Sequence, residues 1–206
     1  EEGVLESEFS GNLVEVCPTG VFTDKPFSEH YSRKWDLQTA PSVCVNCAVG
    51  CNTTPGERYG ELRRITNRYS SEINGYFLCD RGRFGYGYVN SDERIAAPYA
   101  NAGESQNALE ESEVSQKLSE MQQEGVIGIG SPRASNESNY ALRSFVGEEN
   151  FYAGYSDSEA ELVSLTINLL QDESFHCPSI KEVEAADAVL ILGEDVTNIA
   201  PRMALS

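Results

Sequence analysis

The sequence of 206 residues predicts an α/β protein, in which a small loop-and-strand module precedes part of a parallel α/β domain. Two observations predict this fold class. Four of the six cysteines fall within 36 residues that are rich in glycine and turn-forming residues. The second half alternates helix-like segments with short, wholly apolar ones, and such strands are typical of a parallel sheet covered on both faces.

The first part of the chain contains few regular elements. Residues 11–21 predict a short strand or turn that leads into Cys17-Pro18, and residues 60–65 alternate loosely enough for a strand. Residues 91–107 are small and polar, with one proline and one glycine, and predict a linker. We place the domain boundary at this linker.

The second half predicts helices and apolar strands in alternation. The predicted helices cover residues 110–123, 135–146 (with Ser135 as N-cap) and 159–171. The predicted strands cover residues 125–130 and 188–192, and a further helix begins near residues 200–205.

Charge is unevenly distributed along the chain. The formal net charge is -18, and a field of this sign repels nucleic acid, so no nucleic-acid partner is expected. Residues 1–94 hold 10 Lys or Arg against 14 Asp or Glu (net -4), whereas residues 95–206 hold 5 against 19 (net -14). This change in net charge indicates two regions with different surroundings. The acidic half fits either solvent exposure or a salt-adapted surface.

No apolar run approaches the roughly 20 residues of a membrane-spanning helix, and residues 1–5 lack the charged and apolar parts of an export signal. We therefore expect a soluble, unexported chain without direct membrane insertion. In such a chain the six cysteines are not expected to form a disulfide framework.

The cysteine spacing is Cys44-x2-Cys47-x3-Cys51-x27-Cys79. Three ligands in a tight loop and a fourth from a distant segment can bind a 4Fe-4S cluster. Glycines nearby (50, 56, 75 and 82) let the backbone approach the sulfides, and the cations Arg81 and Arg83 directly follow the last cysteine. A four-cysteine zinc site is the alternative, although zinc modules favour two cysteine pairs. Unligated core thiols are a second alternative.

Five stretches resemble a known family. They are ESEFSGNLVEVCPTGVFTDK (residues 6–25), PGERYGELRR (55–64), FLCDRGRFGYGYVN (77–90), GIGSPRAS (128–135) and VGEENFY (146–152). They are similar to the family of large iron-sulfur subunits of bacterial NADH:quinone oxidoreductase, respiratory complex I, which belongs to the molybdopterin oxidoreductase superfamily. The resemblance covers essentially the whole chain.

The resemblance implies specific cofactor ligands. A 4Fe-4S cluster set apart from the main electron-transfer chain would be bound by Cys44, Cys47, Cys51 and Cys79. Cys17 would be the last ligand of another 4Fe-4S cluster, whose other ligands do not occur in this sequence, so Cys17 is expected to be an orphan thiol here. The full subunit would also hold a 2Fe-2S cluster in a domain absent from this chain.

The resemblance also implies a domain plan, an activity and partners. Residues 1–38 would be the tail of a ferredoxin-like cluster domain, residues 39–95 the 4Fe-4S module and residues 108–206 part of a molybdopterin-oxidoreductase-like α/β domain. Single electrons would pass between NADH-derived flavin and quinone. The other subunits of the peripheral arm would be the partners, on the cytoplasmic side of the inner membrane. As an isolated fragment the chain is not expected to catalyse a reaction, and no catalytic residue is assigned.

Two other functions stay open. A molybdopterin-dependent oxidoreductase, such as a formate dehydrogenase, would carry Lys two residues after the last cluster cysteine, where this chain has Arg81. The second alternative is a structural module, in which the metal merely staples loops for docking. Cys177 lies in no recognisable motif and is expected to be an ordinary loop thiol.

Several other signals support a function only weakly. Gly128-Ile-Gly130 follows a strand, but Arg133 replaces the third glycine of a dinucleotide loop, so a plain strand-to-helix turn is expected. We expect residues 108–206 to bind neither NADH nor a pterin dinucleotide. Glu194-Asp195 is expected to be solvated. His30 lies in a polar, aromatic run that is either an interface or ordinary surface, and it has no triad partners identifiable by spacing.

Overall fold

A computed structural model describes residues 5–30, 32–100 and 107–206. The chain forms two compact units. The first unit comprises residues 1–94 together with 178–206, and the second unit comprises residues 95–177. Residues 178–206 thus group with the cysteine-rich region, whereas the sequence assigned them to the α/β part. The predicted domain boundaries stay a prediction.

Helices and strands are short. The helices are α1 Asn12–Val16, α2 Lys25–Ser28, α3 Asp80–Phe84, α4 Glu111–Glu124, α5 Asn136–Val146, α6 Asp157–Gln171, α7 Ile180–Glu184, α8 Val196–Ile199 and α9 Pro201–Ala204, with 3-10 turns at Lys34–Asp36, Gly87–Val89 and Glu148–Asn150. The strands are β1 Gln38–Thr39, β2 Ser42–Val43, β3 Asn52–Arg58, β4 Glu61–Asn67, β5 Tyr99–Ala100, β6 Asn107–Ala108, β7 Gly128–Ile129 and β8 Phe151–Tyr152. Together they form an α/β protein, as predicted.

The first unit is built on an antiparallel sheet. Strand β3 is central and pairs with β1, β2 and β4. The strand predicted at residues 60–65 is confirmed as β4. It follows β3 through a two-residue turn, Tyr59-Gly60, in which φ is 58° and 81°.

The segment before Cys17 is helical. The sequence predicted a strand or turn there, but residues 12–16 form α1. The Asn12 side chain decides this, because it is buried and hydrogen-bonds the backbone of Leu78 in both directions: its Nδ2 donates to the carbonyl at 2.8 Å, and its Oδ1 accepts from the N–H at 3.1 Å. A contact across 66 residues could not be predicted from local sequence.

The first unit has a small core. Leu78 and Asn74 are fully buried. The Asn74 side chain accepts from the Asn52 N–H at 2.9 Å and donates to the Asn67 side chain at 2.6 Å, so it ties the ends of β3 and β4 to the loop before α3. Two cysteines, Cys51 and Cys79, are among the buried residues. With so few buried apolar side chains, this unit has little hydrophobic stabilisation of its own.

The second unit contains the one parallel strand pair found among the described residues, β7 with β8. The three predicted helices are confirmed as α4, α5 and α6, and Ser135 caps α5 by accepting a hydrogen bond from the Ser138 N–H at 3.1 Å. Strand β7 is shorter than predicted. The predicted linker at 91–107 lies partly outside the described residues, and residues 99–100 pair with residues 107–108 as β5 and β6.

The strand predicted at residues 188–192 is wrong. This segment has no helix or strand structure, and Leu190 is 80% exposed. A strand needs a neighbour to satisfy its backbone N–H and C=O groups, and no described strand pairs with these residues. The helix expected near residues 200–205 is confirmed as α9. Among the described residues, none of the helices has the length and apolarity that crossing a bilayer would require.

Candidate metal centre

Three of the four candidate cysteines lie in the loop between β2 and β3. Cys44 directly follows β2 and Cys51 directly precedes β3. The Cys44 N–H donates to the Cys51 carbonyl at 2.8 Å, which closes the loop and holds its two ends together. Cys47 lies between them. The antiparallel pairing of β2 with β3 therefore places three thiols in one tight turn.

The fourth cysteine begins a helix. Cys79 is the N-cap of α3, and its Sγ accepts a hydrogen bond from the Gly82 N–H at 3.5 Å. A Cβ on Gly82 would lie 3.2 Å from the Cys44 Sγ and 2.9 Å from the Leu78 side chain. Gly82 therefore lies between the two sulfur-bearing segments, and its lack of a side chain lets them come together.

The four thiols influence one another electrostatically. The pKa of Cys51 is raised to about 12, first by burial and then by the neighbouring Cys44, Cys47 and Cys79. Burial also raises the pKa of Cys79, with Cys44 and Cys47 acting in the same direction and the Gly82 N–H opposing them. The four predicted ligands therefore lie within electrostatic range of one another.

Four cysteine thiolates can hold either a zinc ion or a 4Fe-4S cluster. Within the described residues, no group of three or more His, Cys, Asp or Glu side chains is placed to hold one metal ion. Zinc would require its thiolates at about 2.3 Å from one centre. A 4Fe-4S cluster binds each thiolate to a different iron of one compact cubane. An all-cysteine donor set suits both kinds of centre.

Two arginines act on the thiols. Arg81 lowers the pKa of Cys79, and Arg202 lowers that of Cys51, although burial dominates in both cases. Arg81 donates to the Asn198 carbonyl at 2.5 Å. Arg202 is 8% exposed and forms an ion pair with Glu184. Arg202 was not among the residues predicted from the sequence, because it lies far along the chain in a helix that carries no motif.

Arg83 does not act as the sequence predicted. It was expected to assist thiolate ligation together with Arg81, but its guanidinium is buried against α1, where it pairs with Glu15 and donates to Asn12. Arg83 therefore joins α3 to α1 by an ion pair and a hydrogen bond. Because Arg83 lies two residues after Arg81 in a short helix, the two side chains project in different directions from α3.

Cys17 lies at the end of α1, in its own polar turn. Its pKa is lowered to about 6, first by the backbone N–H of Phe22 and then by the hydroxyl and N–H of Thr19. Such a turn stabilises a thiolate. No described residue set places Cys17 in a metal site with other ligands. Cys177 is an exposed free thiol.

The loop after β7 is closed by hydrogen bonds between Ser131 and Asn139. The Ser131 N–H donates to the Asn139 side chain at 3.0 Å, and Asn139 donates back to the Ser131 carbonyl at 2.9 Å. A Cβ on Gly130 would lie 2.6 Å from the Asn139 Oδ1. The glycine here thus permits close packing within the turn, which supports the interpretation of a plain strand-to-helix connection.

Comparison with known proteins agrees with this geometry. Residues 37–91, which contain all four clustered cysteines, match the family model of the molybdopterin oxidoreductase Fe4S4 domain. This match indicates a 4Fe-4S cluster and confirms the predicted cofactor.

The whole chain also aligns with curated relatives. It is 57% identical to the G subunit of NADH-quinone oxidoreductase from Escherichia coli (strain K12), 56% identical to that from Salmonella typhimurium (strain LT2) and 57% identical to that from Shewanella oneidensis. Each alignment covers 100% of this chain and 23% of the relative, so the chain spans about a quarter of the length of these proteins. The predicted resemblance is confirmed: the chain is similar along its whole length to one segment of the NADH-quinone oxidoreductase G subunit and includes a molybdopterin oxidoreductase Fe4S4 domain.

Proposed function

We propose that Cys44, Cys47, Cys51 and Cys79 bind one 4Fe-4S cluster and that the chain transfers electrons as a segment of an NADH-quinone oxidoreductase. The observation that carries this proposal is that Gly82 lies between Cys44 and Cys79 while Cys44 and Cys51 close one loop, all inside the matched Fe4S4 domain. When bound, the cluster supplies a centre that accepts and returns one electron at a time.

The protein's own residues would set the properties of the centre. Burial of Cys51 and Cys79 keeps water from their sulfurs. The Gly82 N–H donates to the Cys79 Sγ, and hydrogen bonds to ligand sulfurs stabilise the more negative, reduced state. The cations of Arg81 and Arg202 act in the same direction.

The assembly and its location follow from the relatives as proposals. We propose that the protein containing this chain assembles with the other subunits of an NADH-quinone oxidoreductase, as the names of the relatives state for them. We place it in the peripheral arm, on the cytoplasmic side of the inner membrane. Residues 1–38, 39–95 and 108–206 are retained as the proposed domains.

Cys17 is proposed as a ligand of a different cluster, completed by residues that do not belong to this chain. Support comes from its polar turn, in which backbone N–H groups already stabilise a thiolate. Within this chain, Cys17 would remain a reactive thiol.

Anaerobic reconstitution with iron and sulfide tests the ligand set. We expect about four irons and four sulfides per chain and a reducible electron paramagnetic resonance signal. Cys79→Ala should lose the iron and should make residues 40–90 exchange their amide hydrogens faster, because so small a core depends on its metal. The matched control is Cys177→Ala, which removes an exposed thiol and should change neither result.

The same experiment separates the alternatives. Binding of one zinc in preference to iron and sulfide would contradict the proposal. A bound cluster that cannot be reduced would favour the alternative in which the metal only holds the loops in place for docking. Full iron content in Cys79→Ala would show that the ligand set is wrong. The Fe4S4 domain match is compatible with a molybdopterin enzyme as well, but the relatives named above are NADH-quinone oxidoreductases, which favours the proposed function.

A further inference from the structure

Aromatic and basic side chains form an exposed patch on the first unit. The rest of the chain is acidic, so the patch differs from it in composition. Its members are Arg33, Trp35, Arg58 and Tyr59, which we call the aromatic-basic patch. Trp35 is 75% exposed and Tyr59 is 79% exposed. Each ring is covered by an arginine: Arg33 lies 5.2 Å from the Trp35 ring centre, and Arg58 lies 4.6 Å from that of Tyr59.

The two halves of the patch border one depression. Its volume is about 570 Å³, and its lining includes Arg33, Arg58 and Tyr59, together with His30, Ser32 and Asp36. Although Arg33 and Arg58 are far apart in sequence, they therefore face the same surface recess. A recess rimmed by planar aromatic and guanidinium groups can receive a protruding side chain.

The charge of this region has the opposite sign to that of the rest of the chain. The charged residues that line the depression are two arginines, Arg33 and Arg58, and one carboxylate, Asp36, whereas the whole chain has a net charge of -18. Arg33 pairs with Asp36 at 3.0 Å, but no carboxylate in the described parts of the chain pairs with Arg58. Arg58 thus keeps its charge available for an external acidic group.

Tyr59 occupies a backbone conformation that tyrosine disfavours. In the described chain it is the one non-glycine residue with positive φ, at 58°, and Gly60 follows with φ of 81°. Two positive φ angles in a two-residue hairpin are the pattern of a type I′ turn, where Asn-Gly is strongly preferred. A bulky exposed ring at this position is a local cost, and an outlier of this kind supports a functional role for the side chain.

We propose that the aromatic-basic patch is a docking surface for another protein chain that presents carboxylates around a protruding side chain. Trp, Tyr and Arg are the residues enriched at binding hot spots, and Arg58 supplies charge complementarity to an acidic partner. The acidic remainder of the chain repels the same partner surface, so the partner is steered to this patch. The inference rests on the proposed assembly with other subunits and deepens it, because it names a docking surface and the chemistry of the segment that binds there; the cluster itself is tested separately by iron content.

Photo-crosslinking in cells tests the proposal in the complete protein that contains this chain. A benzophenone amino acid replaces Ser32, which lines the depression while leaving the patch intact. The control places the same amino acid at Tyr76, which is also well exposed but lies outside the patch. We expect crosslinks from position 32, and not from position 76, to a carboxylate-bearing segment of a second protein.

Two substitutions make the test specific. Arg58→Glu should lower the crosslink yield by about tenfold or more, and replacing the contacted carboxylate of the partner by Arg should restore it. Tyr59→Asn should also lower the yield while raising the melting temperature, because Asn suits the turn. Opposite changes in binding and stability exclude misfolding as the cause. Arg94→Glu is the charge-matched control and should leave the yield unchanged.

Several results would overturn the proposal. One is a set of crosslinks confined to the protein's own chain, to nucleic acid or to lipid. Another is the absence of crosslinks from position 32. A yield that Arg58→Glu leaves unchanged, or that Arg94→Glu lowers equally, would also overturn it.

Discussion

Arg83 and Glu15 form an ion pair, with 2.5 Å between Nη2 and Oε2, that joins helix α3 to helix α1. The Arg83 side chain is 2% exposed. Because α3 begins at Cys79 and α1 ends at Cys17, this pair connects the segments that carry two candidate cluster ligands. The Glu15 carboxylate also accepts from the Asn67 N–H at 3.1 Å, so the end of β4 joins the same network.

Replacing Arg83 with Met should destabilise the first unit. Removing Arg83 leaves the Glu15 charge uncompensated, and because Glu15 is 26% exposed the cost should be about 1–3 kcal/mol, below that of a fully buried pair. Urea unfolding of the reconstituted chain would measure this cost. Arg94→Met, at an exposed position, should change stability by less than about 0.5 kcal/mol. Equal losses in the two variants would contradict a specific role for the Arg83–Glu15 pair.

Gly82→Ala should lower the cluster content. Its Cβ would press on the Leu78 side chain at 2.9 Å and on the Cys44 Sγ at 3.2 Å, which would push apart the two ligand segments. Helix propensity alone favours Ala over Gly by about 1 kcal/mol, so a loss of iron would have to come from this contact. Iron and sulfide analysis gives the readout. The matched control is Gly87→Ala, where an added Cβ meets nothing within 4 Å. Unchanged iron in Gly82→Ala would contradict the prediction.

Arg202→Gln should lower the reduction potential of the centre. The cation lowers the pKa of Cys51, so it stabilises negative charge at that sulfur, and its loss disfavours the reduced state. At an effective dielectric constant near 20, one charge contributes on the order of 1 kcal/mol, or tens of millivolts. A redox titration followed by electron paramagnetic resonance would show the shift, and Arg202→Lys should recover part of it. A potential equal to that of the unaltered chain would exclude this role.

Alkylation of Cys17 in this chain should already be fast at neutral pH. Because its pKa is lowered to about 6, the thiolate fraction rises as the pH increases through 6 and is near its maximum at pH 7. The rate of reaction with iodoacetamide, followed by peptide mass spectrometry, should therefore be half-maximal near pH 6. Thr19→Val removes one hydrogen bond to the sulfur and should move the midpoint to higher pH. A rate that rises first near the ordinary pKa of cysteine would contradict the prediction.

The sequence by itself determined the features that depend on nearby residues. The cysteine spacing predicted a ligand set, because a cluster needs four thiols and Cys44, Cys47 and Cys51 are already close in a short loop. Ser135 marked the start of α5, since an N-cap bonds the N–H group three residues further on. Strand β4 was visible in the alternation of its side chains.

Only the tertiary structure decided which distant groups meet. Asn12 turns its segment into a helix through the backbone of Leu78, Arg202 reaches the neighbourhood of Cys51, and Arg83 pairs with Glu15 instead of assisting the cysteines. Residues 188–192 are apolar enough for a strand but have no described partner strand. In each case the deciding interaction joins residues far apart in the chain, and its energy depends on packing and on backbone pairing, which local patterns do not contain.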